Sequence, residues 1–482
     1  MSDEMCSSFR IVCGSYEGLE KKAVDILSGT LGGCLSYPVP VTAGGELSDV
    51  ERSSSLVVVG TQASNALLRE LADAHFYEPC DAAEGYTIRV AESPFDARAQ
   101  LIVVAGRDPA GALYGALDFQ AYILPAAENT HNHLRYRRKI GEGEAFPEVC
   151  HTSAPSVRHR GLWTWGHVVY DIRGYIEHMM RLKLNTLIVW NEYVPMNMRE
   201  ISACAHEHGI RLILGYSWGW NDWFDISDEH ELNIREEAIC RTYENEYAGL
   251  DIDGIYFQSF TETSDEKLHG LVIGEAVMRF VNRVSARLWK RHPHLQLFFG
   301  LHATSVSQRL DDIRRIDPRI TIVWEDCGAF PFQYVPSDIR GSDETLAFAQ
   351  RIAALRGAGE RFGAVTKGLL CLDWPSFQHQ KGRFVLGHHA DEFLRHRAEE
   401  KRGLWRFVEA YWLRNASYAA RMIRAMAETN RDALIVGLVE DGLFDHTIWF
   451  PVALFAELLW DDRTPVEDLL VKVAMRPDVE KA

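Results

Sequence analysis

Between residues 159 and 438 eight short apolar runs alternate with helical segments, and that alternation leaves few folds open. The runs cover 159–165, 185–192, 211–216, 254–258, 295–302, 320–326, 368–374 and 433–438, and read as buried strands. Segments 171–183 and 198–208 read as helices, the second ending at Gly209, a residue suited to a helix C-cap. Eight strands each followed by a helix predict the α/β class, specifically a (β/α)8 TIM barrel within 151–482. Residues 443–460 read as an amphipathic last helix packed on it.

At 482 residues the chain is longer than such a barrel of ~250 residues needs. Residues 1–150 are expected to form a small α+β domain. Its strands would lie at 9–12, 55–61, 85–90 and 101–106, with helices at 18–27, 65–74 and 110–124 on one face of the sheet. The polar, charged stretch 125–155 reads as the linker. Gly106 and Gly111 have the spacing of a phosphate-binding loop, but Ala112-Leu113 stand where such a loop needs Lys and Ser or Thr.

A formal net charge of −17 repels phosphate, so no nucleic-acid or anionic-membrane partner is expected. No run of about 18 apolar residues suggests a membrane helix. The first ten residues are polar and acidic, unlike a signal peptide. The nine Cys are scattered without a CxxC, as buried thiols of a cytoplasmic protein would be. No cofactor and no bound metal is expected. His206-Glu207-His208 has metal-ligand spacing, but it lies where a helix enters a strand, away from the end of a barrel that does chemistry. Asp225, Asp228, Glu229 and Glu231 read as a solvated loop or a lid. Oligomeric state stays open, a homodimer being one form.

Catalysis in such barrels sits at the C-terminal ends of the strands. The residues that close the expected strands are Trp163 and Trp165; Asn191 and Glu192; Tyr216, Trp218 and Trp220; Glu262; His302; Glu325 and Asp326; Asp373 and Trp374; then Glu440 and Asp441. Alone, Glu262 would be a helix-capping or solvated acid. A rim of Trp, Tyr, Glu, Asp, Asn and His has the composition of a sugar pocket, with aromatic rings for pyranose faces and carboxylates for hydroxyls or proton transfer. The expected partner is therefore a carbohydrate. Glycoside hydrolysis needs two carboxyl groups across the scissile bond. Glu262 follows an apolar strand and suits the acid; Glu325 or Asp326, two strands on, suits the base. Two strand spacings of about 4.8 Å give roughly 7–10 Å, in the range of inverting enzymes.

The order VVVGTQASN, GYTIRV, LIVVAGRDPAGALYGALDF over residues 55–124 resembles the small domain that precedes the barrel in β-hexosaminidases and xylan-type α-glucuronidases. HRGLWTWG stands where β-hexosaminidases carry a His-Arg-Gly segment whose Arg grips the sugar. By that resemblance Arg160 is a substrate-binding candidate, a rim salt bridge being the alternative. The families place their acid at the end of the fourth strand, which corresponds to Glu262. In hexosaminidases an Asp that orients the acetamido group precedes the acid; here Thr261 does, as in the α-glucuronidases, whose base corresponds to Glu325.

The resulting expectation is a glycoside hydrolase, α-glucuronidase-like or hexosaminidase-like and inverting. Glu262, Glu325 and Asp326 would be catalytic. Arg160, Trp163, Trp165, Asn191, Glu192, Tyr216, Trp218, His302, Asp373 and Trp374 would bind substrate. The alternatives are a sugar-binding barrel without catalysis, or a metal-dependent barrel enzyme using Glu262, Glu325, Asp326, His302 and Asp373 as ligands.

Overall fold

The computed structural model describes residues 8–35, 37–44, 47–123, 145–220, 222, 224–302, 305–325, 342–357, 359–369, 382–439 and 444–481. They divide into two compact units: one up to Pro155 together with Met475–Asp478, the other from Ser156 to Ala474 with the residues after Asp478.

The first unit is built on one six-stranded sheet. Its strands are β1 (Phe9–Cys13), β2 (Val41–Ala43), β3 (Ser55–Thr61), β4 (Tyr86–Glu92), β5 (Gln100–Gly106) and β6 (Val149–Ser153), in the spatial order β2-β1-β3-β5-β4-β6. The first four in that order are parallel, and β4 runs antiparallel to β5 and β6. Two expectations are corrected here. The stretch read as a linker ends in β6, a strand of the sheet. Helices cover both faces rather than one. Leu67, Leu68 and Leu71 of the helix Ala66–Asp73 pack on Leu56, Val58, Leu101 and Val103. On the opposite face Gly115, in the helix Pro109–Asp118, lies against Val104 and Tyr86. The reason is legible in β3 and β5, which are apolar at successive positions and so have no polar face to leave in water. Asp108 caps that helix, accepting from the Gly111 N–H (2.9 Å) and the Glu84 N–H (2.8 Å). A side chain on Gly111 would run into the Gly85 carbonyl, so this glycine serves close packing.

The second unit is a closed barrel of eight parallel strands, which is the expected (β/α)8 architecture. The strands are β7 (His159–Trp165), β8 (Thr186–Trp190), β9 (Arg211–Ser217) and β10 (Gly254–Gln258), then, after a small hairpin of β11 (Lys267–Leu268) and β12 (Leu271–Val272), β13 (Leu297–Leu301), β14 (Ile320–Trp324), β15 (Phe362–Leu369) and β16 (Leu434–Val439). Pairing of Leu434 with His159 closes the ring. Alternate residues fill the interior: Trp163 and Trp165, Ile188 and Trp190, Ile213, Tyr256, Phe298, Val323, Val365, and Leu434, Val436 and Leu438. The seventh strand starts at Phe362, earlier than the expected 368, because Gly363-Ala364-Val365-Thr366 pair with β14 and β16 although their side chains are small. The last long helix, Phe450–Trp460, is buried at every position rather than amphipathic. It packs on the barrel and on the helices Asp391–Thr429 and Val466–Ala474, so it has no face for water. Among the described residues no helix is long and apolar enough to cross a membrane.

One buried acid in the barrel unit makes stability depend on pH. Asp445 accepts the N–H groups of Tyr170 (2.7 Å) and Asp171 (2.9 Å). Burial, reinforced by the nearby charge of Asp171, pushes its carboxyl from 3.8 up to about 6, against the pull of the two N–H bonds. The folded state therefore keeps this proton to higher pH than the unfolded chain does, and stability is lost as pH rises from about 4 to about 6. Asp445→Asn keeps an oxygen for both N–H groups without a charge. It should raise barrel stability above pH 6 by on the order of 3 kcal/mol, at 1.36 kcal/mol per pKa unit, and change nothing below pH 4. Equal gains at pH 4 and pH 7 in denaturant unfolding would show that ionisation is not the cause.

Candidate active site

The site is assembled at the C-terminal ends of β9, β10, β13 and β14. On β10 the side-chain alternation that turns Phe257 outward turns Tyr256 and Gln258 toward Glu325. Glu325 follows β14, and its N–H is anchored on the Leu301 carbonyl at 2.8 Å. One oxygen of Glu325 accepts both the Tyr256 hydroxyl and the Gln258 amide, the latter at 2.7 Å. Burial, then the charge of Glu325 and its hydrogen bond, push the Tyr256 phenol well above its ordinary range, so it remains a donor. Any side chain at Gly300 would collide with that Glu325 oxygen and with the Tyr256 hydroxyl, so the fifth strand leaves room for the pair.

Glu262 lies in the turn beyond β10 and accepts the Trp220 indole N–H at 2.5 Å. The turn is pinned from two sides: Ser305 donates to the Thr261 carbonyl (2.7 Å) and Ser259 to the Trp218 carbonyl (2.9 Å). His302, just past β13, bridges the two acids. Its Nε2 is 3.5 Å from Glu325 Oε2 and 3.9 Å from Glu262 Oε2. The two legs, 3.9 and 3.5 Å, bound the separation of those oxygens at about 7.4 Å. The environments differ: the Glu325 side chain is 3% exposed, that of Glu262 45%.

Beside the acids stands an aromatic cluster. Trp165 meets Trp163, Trp190 and Trp220 at ring-centroid distances of 5.4, 5.9 and 6.2 Å, and Trp163 meets Tyr256 at 6.1 Å. Trp220 is the partly exposed member and also the one bonded to Glu262. Buried polar atoms here without a hydrogen-bond partner among the described residues include Asn191 Oδ1, Gln258 Oε1, Thr261 Oγ1 and Trp190 Nε1. Buried polar atoms are normally satisfied, so these are places for water or the hydroxyls of a ligand.

The expected site residues thus separate. Glu262, Glu325 and His302 come together, with Trp163 and Trp165 in the adjoining cluster. Asn191 is buried past β8 with its side chain against Gly166, and Glu192 is exposed on the rim. Arg160 is a correction. It sits near the start of β7, at the other end of the barrel, with its guanidinium 5.0 Å from the Trp460 ring and bonds to the carbonyls of Val157 (3.3 Å) and Arg158 (3.1 Å). Being even-numbered, it points outward while Trp163 and Trp165 point in. Trp218 and Tyr216 are corrected too. Trp218 is fully buried and stacks on the outward-facing Phe257 at 3.7 Å. Tyr216 stacks on Tyr247 at 4.8 Å and donates to the Ile239 carbonyl. Both belong to the packing between barrel and outer helices. Asp326, Asp373, Trp374, Glu440 and Asp441 lie outside the described residues.

Tyr256, Gln258, Trp190, Trp220 and Gly300 join the site without having been singled out as binding residues. For Tyr256 and Gln258 the signal was available in the period of two along β10.

Among the described residues no group of three or more His, Cys, Asp or Glu is placed to hold a metal ion. His206 is engaged by Asp253 (2.9 Å) and Asp251 (3.4 Å). Asp228 caps the helix Glu229–Thr242 through the His230 N–H.

No protein-family model and no curated protein matches the sequence. Among solved structures, the chain is similar to a β-N-acetylhexosaminidase from Bacteroides fragilis NCTC 9343 at 14% identity, covering 95% of this chain and 88% of that one with a TM-score of 0.49. It is similar to CpGH84D at 13% identity and a TM-score of 0.46, covering 89% of this chain and 66%, just under two thirds, of that one. A D-psicose 3-epimerase from Clostridium cellulolyticum H10 matches at 14% identity and a TM-score of 0.33, covering 66% of this chain and 96% of that one. Likeness at this level does not extend to activity, which a barrel fold leaves open.

Proposed function

We propose that the chain is a glycoside hydrolase in which Glu262 is the general acid and Glu325 the general base. The observation that carries the reading is the pairing of two carboxylates in unlike environments, within about 7.4 Å of each other through His302. Two donors on one oxygen favour the ionised form of Glu325. Glu262, on the open side, is placed to meet a departing glycosidic oxygen. The tryptophan cluster would offer a stacking face, and the unpartnered atoms of Asn191, Gln258 and Thr261 would meet sugar hydroxyls.

Inversion follows from the burial of Glu325. A nucleophile must touch the anomeric carbon itself, whereas a base acts through a water, which a sealed carboxylate can still reach. The upper bound of about 7.4 Å admits the inverting separation of ~6.5–9.5 Å and the retaining one of ~5–5.5 Å alike, so the burial carries the choice. An α-glucuronidase-like or hexosaminidase-like specificity is the finer form of the proposal; Thr261 before the acid speaks for the former.

A panel of aryl glycosides tests this directly. Hydrolysis of at least one is expected, and proton NMR of the first-formed sugar should show the anomer opposite to the substrate. No turnover with retained sugar binding would leave a binding barrel instead, and a retained anomer would make Glu325 a nucleophile.

A further inference from the structure

His302 faces both carboxylates at once, at 3.5 Å from Glu325 and 3.9 Å from Glu262, within ion-pair reach but not at hydrogen-bond length. His302 and Glu325 are buried, where charges act on one another more strongly than in water. The other titratable group of the cluster among the described residues, Tyr256, donates to the far oxygen of Glu325 and holds its proton throughout. Three groups, carried by the ends of β10, β13 and β14, can therefore change charge together.

We infer that His302 is a positioning residue that ties the protonation of Glu262 to that of Glu325. Its role in turnover rests on the hydrolase reading; the coupling itself does not. A proton on the imidazole favours the ionised form of each acid, and more so for Glu325, the nearer and more deeply buried one. That difference separates the two carboxyl groups in acidity, as an acid–base pair needs. In return, an ionised Glu262 makes His302 hold its proton more tightly, and the three titrate as one coupled system.

Histidine-ring NMR of the full chain reads the coupling without any substrate, the His302 signal being the one lost in His302→Gln. In Glu262→Gln, a change at a half-exposed side chain, the His302 pKa is expected to fall by about one unit, as for removal of one nearby opposite charge. An unmoved pKa overturns the inference. The pH profile gives a second reading. With the imidazole gone, both limbs of the kcat/KM bell should move upward in His302→Gln, the acidic limb set by Glu325 by about one unit and the basic limb by less. A bell that only loses height would mark His302 as merely structural and overturn the proposal. If no glycoside is hydrolysed at any pH and the His302 pKa still falls in Glu262→Gln, the coupling stands and the hydrolase reading fails.

Discussion

Glu262→Gln is expected to lower kcat on glycosides with poor leaving groups by about 10²–10⁴-fold, the usual contribution of a positioned general acid. On nitrophenyl glycosides the same variant should lose far less, because that leaving oxygen scarcely needs a proton. Glu325→Gln should damage both substrate types alike, since water attack needs its base whatever departs. The contrast rests on the unlike settings of the two acids: Glu262 is 45% exposed, and Glu325 is closed in by Tyr256, Gln258 and His302. Glu262 accepts the Trp220 indole N–H, a bond that a glutamine oxygen can also accept, so the Gln variant should fold normally. Unaltered turnover of alkyl glycosides by Glu262→Gln would mean that the acid is another residue.

The largest stability change is expected at Trp218, which the sequence had suggested for the sugar wall. Its ring stacks on Phe257 at 3.7 Å, and Phe257 stacks in turn on Phe299 at 5.2 Å. Trp218→Ala removes the end ring of this outward-facing aromatic stack and leaves a cavity. A loss of about 3–5 kcal/mol is expected in urea unfolding of the barrel, with KM unchanged in whatever fraction stays folded. Trp220→Ala should do the reverse. That ring is partly exposed and bonded to Glu262, so a smaller stability loss and a weaker KM are expected. If Trp218→Ala raised KM while leaving stability intact, the assignment of the two rings would have to be exchanged.

Much of the barrel could be read from the chain because burial on both faces makes a parallel strand apolar at successive positions. That signal is local, and Gly254–Gln258 and Ile320–Trp324 fall where the pattern places them. It misled at the seventh strand, where small residues from Phe362 complete the ring and a more apolar run further on drew the eye. Small side chains suffice there because strand pairing is made by the backbone.

The candidate site was legible only as a set of chain positions near strand ends. Which end of a strand a residue occupies is written in the sequence; which way it faces at the rim depends on a register that shifts by one residue from inward to outward. Trp218 was assigned to the pocket and points away from it, while Arg160, assigned by resemblance, lies at the opposite end of its strand. Tyr256 and Gln258 were passed over as strand filling, and they hold Glu325. The sequence by itself determined an alternating strand–helix chain with acids at the C-terminal ends of the fourth and sixth strands. The tertiary structure alone decided that those acids share His302, that one is sealed and the other open, and which tryptophan stands beside them, because closing the barrel sets distances between residues far apart in the chain.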